Sequence, residues 1–154
     1  MLKVLVDGTR SSAYKVGTEV FTKTNTGNAR INAYTPKGVL GGSVAAYKGD
    51  FEVGAATGAE GEAIAGLFVN NAQPNVYDNN ASLASGKIAV IRRGATVEVD
   101  VYADNVATAD VGAKLYADAN GFLTTTESAS KEVVGILVKK PTTADPFAGV
   151  DLRV

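Results

Sequence analysis

The chain contains no cysteine and no histidine. Their absence removes disulfides, thiol nucleophiles, thiolate or imidazole metal ligands and histidine acid–base catalysis. Tryptophan is also missing, and methionine occurs once. Long apolar runs are lacking: no window approaches the length of a membrane span, and the apolar run near Met1 is too short for a secretory signal. The expectation is a soluble, unsecreted chain made inside the cell that needs no membrane. Neither sign of charge is in excess, with 15 basic and 16 acidic side chains giving a net charge of -1. A general nucleic-acid surface, which needs a basic surplus to displace counterions, is therefore not expected.

What is present is glycine, at 17 positions, together with many Ala, Val, Thr and Asn residues. That mixture describes turns and strand formers and favours an all-β fold. A length of 154 residues is that of one domain able to bury a core without cross-links. The expected architecture is a single domain, a small antiparallel β-sandwich or barrel with an irregular, loop-rich N-terminal half. Residues 1–8 would be an arm or edge strand and residues 86–154 a regular β core.

Along the chain, Leu2, Val4 and Val6 alternate with Lys3 and Leu5 before the turn pair Asp7 and Gly8, which predicts a short strand. Residues 16–22 read as a strand and residues 24–28 as a loop. Residues 30–50 fit either irregular structure or short strands. Residues 64–69 carry apolar spacing that suits a helix face or a buried strand; Gly66 would cost a helix about 1 kcal/mol relative to alanine. The strand is favoured, because residues 133–138 echo it with Gly135 in the place of Gly66. A second echo pairs residues 16–21 with residues 111–116. Both echoes occur in the same order in each half and suggest a duplicated β unit.

Residues 70–85 are polar and turn-like, a cover for one face or a joint between halves. Beyond them the pattern becomes regular. Strands are predicted over residues 87–91, 96–101, 113–117, 122–126, 132–138 and 147–154, with residues 104–110, 128–131 and 141–146 as connections. Val97, Val99 and Val101 alternate with Thr96, Glu98 and Asp100, the mark of one buried and one wet face. Asp118 to Gly121 is a tight turn. Strands at this spacing with turn signals between them suit a sandwich or barrel.

Few constellations reach toward chemistry. Glu98 and Asp100 share a strand face and are the one foothold for carboxylate-dependent hydrolysis, but carboxylates on a wet face are ordinarily just solvated. Glu60, Gly61 and Glu62 form an acidic loop without EF-hand spacing, and the glycine-rich residues 54–61 lack the Gly-Lys-Ser/Thr ending of a phosphate loop. Ser11, Ser12 and Ser43 have no histidine to activate them. No catalytic, cofactor or metal site is assigned. Arg92 with Arg93 and Lys139 with Lys140 each follow an apolar strand. They suit protection of sheet edges or contact with an acidic partner surface. Tyr34, Tyr47 and Tyr77 fall in the irregular regions, as packing or interface residues.

Residues 86–154 resemble the small β-rich decoration, or cement, proteins of tailed-phage capsids. The resemblance is carried by residues 111–118 (VGAKLYAD) with residues 120–124 (NGFLT), by residues 132–138 (EVVGILV), and by the closing residues 149–154 (GVDLRV). It implies a virion protein on the capsid surface without enzymatic activity or cofactor. Such a protein is often a homo-oligomer, a trimer or dimer, whose partner is the major capsid protein and whose job is to clamp neighbouring subunits. Residues 1–85 carry no part of the resemblance. The candidate capsid-binding residues are Leu2, Val4 and Val6, as a segment added to a capsid sheet edge, with Arg92 and Arg93. Two other readings compete: a tail or baseplate component, and a carbohydrate-binding β-sandwich. The latter ordinarily presents a row of aromatic rings, and here the tyrosines are scattered.

Overall fold

A computed structural model describes residues 1–6, 10–11, 15–16, 40–49, 52–69 and 89–154. The predicted loop at residues 24–28, the polar stretch 70–85, the Asp7–Gly8 turn, Ser12, Tyr34 and Tyr77 lie outside them.

The chain is all-β, and its described residues form two six-stranded sheets that do not close into a barrel. The first half supplies β2 (Arg10–Ser11), β3 (Lys15–Val16), β4 (Val44–Gly49), β5 (Glu52–Ala55), β6 (Ile64–Phe68) and β7 (Val90–Ile91). The second half supplies β8 (Thr96–Val99), β9 (Lys114–Ala117), β10 (Leu123–Thr124), β11 (Gly135–Lys139) and β12 (Ala148–Leu152). One sheet runs β2-β7-β6-β4-β5-β3; the other runs β1-β8-β12-β11-β9-β10, where β1 (Leu2–Val6) crosses from the N-terminus to pair with β8. All pairings are antiparallel except β3 with β5.

The alternation in residues 96–99 is realised as predicted: Val97 and Val99 are fully buried while Thr96 and Glu98 face outward. Val44, Leu67 and Ile91 of the first sheet meet Val97, Val150, Leu137 and Leu115 of the second in one core, so each sheet covers the apolar face of the other. A smaller cluster, Ala45, Val53, Ala65, Phe68 and Val90, lies on the opposite face of the first sheet. Residues 64–68 are the strand and not the helix, and all five are buried. The pairing of β6 with β4 slips between Ala45 and Ala46. That bulge puts Ile64 and Leu67 on the same side, which is why their spacing imitates a helix face.

Several expectations change: the strands expected over residues 96–101 and 122–126 shorten to β8 and β10. Residues 104–110 contain a short helix, α1 (Asp104–Thr108), which buries Val106. The closing strand is shorter than residues 147–154, and residues 132–134 precede β11 instead of belonging to it.

The halves repeat one another. Taking β2, β4, β5, β6, β7 and β8, β9, β10, β11, β12 in chain order, both sheets run first, fifth, fourth, second, third. The register repeats as well. Val16 bridges Val53 in parallel, and at the matching place Tyr102 bridges Leu123 in parallel. The Gly42 N–H donates to the Phe68 carbonyl at 2.7 Å, and the Gly112 N–H donates to the Leu137 carbonyl at 2.7 Å. Gly42 and Gly112 have φ of 100° and 96°, left-handed values that explain why glycine recurs there. Gly66 lies against the Ile91 carbonyl and Val90 Cγ1, as Gly135 lies against the Asp151 carbonyl and Val150 Cγ1.

The echo between residues 64–69 and 133–138 is thus the true repeat register. The echo between residues 16–21 and 111–116 is not: Val16 corresponds to Tyr102, and Gly112 corresponds to Gly42. The repeats differ in the lengths of their connections, residues 17–43 against 103–113 and residues 69–89 against 140–147.

Candidate functional site

The candidate surface is the β1 edge of the second sheet and the rim at its end. β1 pairs with β8 through Leu2 with Val99, Lys3 with Glu98, Val4 with Val97 and Val6 with Thr96. Among the described residues no strand lies along its other side. Leu2 and Val4 are half-buried and pack against the chain's own core. The side chains that alternate with them point outward: Leu5 is 57% exposed, and Lys3 reaches across the sheet. A partner strand added to β1 would therefore meet its backbone edge and Leu5, with Leu2 and Val4 holding the strand in place.

Glu98 is not a merely solvated carboxylate. Lys139 Nζ donates to it at 2.5 Å and to Asp145 at 2.6 Å, and Lys3 lies 3.8 Å from its other oxygen. Lys3 also sits over the Phe147 ring, 3.5 Å from the centroid. Asp100 lies beyond the end of β8 and holds the Met1 amine. The pair at residues 98 and 100 thus meets three cationic groups, Lys139 and Lys3 at Glu98 and the Met1 amine at Asp100, an arrangement that ties β1, β8 and β11 together. Lys139 is on an interior strand, so its charge neutralises two carboxylates and does not guard a sheet edge. Lys140 lies 3.6 Å from Asp110.

The hydrogen bond from Lys139, then that from the Phe147 N–H, holds the Asp145 carboxyl below its ordinary value. Hydrogen bonds to Asp145 and Glu98 hold the Lys139 ammonium above its own. A depressed carboxyl stabilises the fold above its unfolded value, about pH 3.9, and that contribution fades as pH falls through the folded one. The raised lysine contributes fully below about pH 10.4 and loses its contribution as pH climbs through its folded value. Acidification from pH 7 toward pH 3 is expected to lower the melting temperature more in the native chain than in Asp145→Asn. Equal acid losses in calorimetric scans of the two proteins would show that the network adds nothing.

The glycine-rich segment is clamped by its acidic neighbour. Glu62 accepts from the Thr57 N–H at 2.8 Å, the Gly58 N–H at 2.8 Å and Lys48 at 2.9 Å. Burial alone would raise the Glu62 carboxyl, but Lys48 and the two backbone donors outweigh it and lower it. Ser43 donates to the Leu40 carbonyl at 2.7 Å and is buried. Tyr47 packs against the smaller apolar cluster. Among the described residues no group of three or more acidic side chains is placed to hold a metal ion. No protein-family model and no curated protein matches the chain.

Arg92 and Arg93 occupy the turn from β7 to β8, closed by the Ala95 N–H to the Arg92 carbonyl at 3.4 Å. Arg93 is exposed, whereas Arg92 is half-buried with its Nε lacking a hydrogen-bond partner. The repeat accounts for this. Phe68 pairs with Val90 and Leu137 with Val150, so Arg92 stands where the second half has the core residue Leu152. Its stem takes a core position, with Cγ 3.2 Å from where a Gly66 Cβ would lie.

The same count pairs Arg93 with Arg153, and these two line one open cleft of about 540 Å³ together with Gly94, Ala95, Thr96, Asp151 and Leu152. Sequence reading singled out Arg92 and Arg93 but missed Arg153. The detectable signal was the shared spacing of each arginine three residues after Val90 and Val150. Among the described residues no helix is long and apolar enough to cross a membrane.

Proposed function

We propose that the chain is a non-enzymatic structural protein of a tailed-phage virion, which binds the outer capsid surface and stabilises the shell by bridging neighbouring major capsid subunits. The resemblance of residues 86–154 supplies the family. The observation that carries the reading is the β1 edge, a strand whose inner side chains and Lys3 network fix it to the domain while its outer edge meets no strand among the described residues. Main-chain hydrogen bonds to a strand of the capsid protein give affinity there, and Leu5 adds apolar contact. Binding the assembled shell and not the free subunit stabilises the shell by linkage, and repetition at many equivalent sites multiplies a modest contact. A homodimer or homotrimer of the chain would bridge subunits by presenting one edge to each.

Purified protein is expected to saturate expanded empty capsids at a fixed ratio per capsid subunit and to raise their disruption temperature. Deleting residues 1–8 should abolish both effects. Because Leu2 and Val4 also pack in the core, the point variant Leu5→Glu is the cleaner companion: it should weaken occupancy while leaving the melting temperature of the free protein nearly unchanged. Full occupancy and full heat resistance with either variant would remove β1 as the docking strand. A wild-type protein that bound only tails or baseplates in labelled electron micrographs would overturn the capsid reading itself.

A further inference from the structure

The ion pairs of the described residues consume lysines: Lys3, Lys48, Lys139 and Lys140 each face a carboxylate. None of those pairs involves Arg92, Arg93 or Arg153. Among the described residues Lys114 and Lys131 are likewise in no ion pair, but only Arg93 and Arg153 come together in one place, the rim where the β7–β8 turn meets the end of β12. The rim is stiffened by three backbone hydrogen bonds, Gly94 N–H to the Leu152 carbonyl, Leu152 N–H to the Ala95 carbonyl and Arg153 N–H to the Val134 carbonyl.

We infer that the cleft between Arg93 and Arg153 is a carboxylate-binding site that receives acidic side chains of the partner protein. The two arginines come from equivalent positions of the two repeats and line one opening. A guanidinium is a planar fork of donors that matches a carboxylate with two parallel hydrogen bonds, so two of them suit a segment carrying two carboxylates. The opening, about 540 Å³, is far larger than a lone anion needs and admits a short stretch of chain. Asp151 selects among anions. Thr96 Oγ1 donates to its Oδ1 at 2.7 Å, and both residues line the cleft. A singly charged carboxylate meets less repulsion from it than a doubly charged phosphate does.

Val6 pairs with Thr96, and Thr96 pairs with Asp151, so the cleft lies at the end of the sheet where β1 finishes. A partner strand laid along β1 would run toward the cleft, where an acidic continuation would find the arginines. The inference rests on the capsid reading for the identity of that partner, while the chemistry of the cleft stands on its own geometry.

The test uses the full chain in two arms. In the first, a blocked hexaglutamate peptide and inorganic phosphate are titrated separately in low salt, following the amides of Gly94, Thr96 and Arg153 by NMR. The peptide is expected to give saturable shifts, roughly tenfold weaker in Arg93→Gln with Arg153→Gln and unchanged in Lys140→Gln. All three proteins should keep the same melting temperature, since these side chains are exposed. No saturable shift, equal binding by the double variant, or phosphate binding as tight as the peptide overturns the carboxylate site.

In the second arm, the wild type and double variant are sedimented with empty capsids. Reduced occupancy of the variant supports the inference, and equal occupancy overturns it. A wild type that ignores capsids while binding the peptide overturns the capsid reading and the partner named here, leaving the two failures distinguishable.

Discussion

Gly66→Ala is expected to destabilise the fold by about 3 kcal/mol or more, the sum of backbone strain and overpacking. An added Cβ would lie 2.3 Å from the Ile91 carbonyl oxygen and 2.9 Å from Val90 Cγ1, at a φ of 135° that L side chains rarely adopt. The obstructing oxygen belongs to the neighbouring strand backbone and cannot swing aside. Gly135→Ala meets the same obstacles in the second repeat, with the carbonyl farther off, 2.7 Å to the Asp151 oxygen, and the valine nearer, 2.6 Å to Val150 Cγ1. Its cost should be about 1–3 kcal/mol, since overpacking acts there without the positive-φ strain. Gly61→Ala is the control for backbone strain without overpacking: its φ is 74° but nothing lies within 4 Å of its added carbon, so it should cost about 1 kcal/mol. Urea unfolding curves of the three variants should rank Gly66 above Gly135 above Gly61. A Gly66→Ala protein as stable as the wild type would show that β6 and β7 do not approach as described.

Deleting residues 150–154 should leave no cooperative unfolding transition. β12 lies between β8 and β11 in the middle of its sheet, so the deletion removes partners from both neighbours. Val150 is fully buried and Leu152 is 4% exposed. Their loss alone withdraws about 3–6 kcal/mol of apolar burial, on the scale of the whole stability of a small domain. Calorimetry and near-ultraviolet circular dichroism would register the change. A truncated chain that still melts cooperatively would mean that β8 and β11 can repack without it.

Alternation and turn chemistry made much of the second half legible. Residues 96–99 declare their buried face through Val97 and Val99, and the Asp118–Gly121 turn declares a hairpin; Asp118 indeed accepts from the Asn120 and Phe122 N–H groups. The first half was harder to read because β6 contains a bulge, which breaks the period of two that identifies a strand. The repeat was half legible for a related reason. Glycine recurs where backbones touch or φ is positive, at Gly42 with Gly112 and at Gly66 with Gly135. Elsewhere equivalent positions diverge freely, Ile91 against Asp151 and Arg92 against Leu152, so short echoes pointed to one true register and one false one.

The candidate surface divides in the same way. The sequence by itself determined that no thiol or imidazole chemistry is available, that the chain is all-β, and that Leu2, Val4 and Val6 alternate as one strand, because composition and local period carry those statements. Only the tertiary structure decided that Leu2 and Val4 serve the chain's own core, that Glu98 is held between Lys3 and Lys139, and that Arg153 joins Arg93 in lining one cleft. These depend on which strands become neighbours, β1 with β8 and β8 with β12, pairings between segments far apart in the chain. Long-range pairing is selected by the fit of whole faces in a shared core, and no single stretch of residues contains that information.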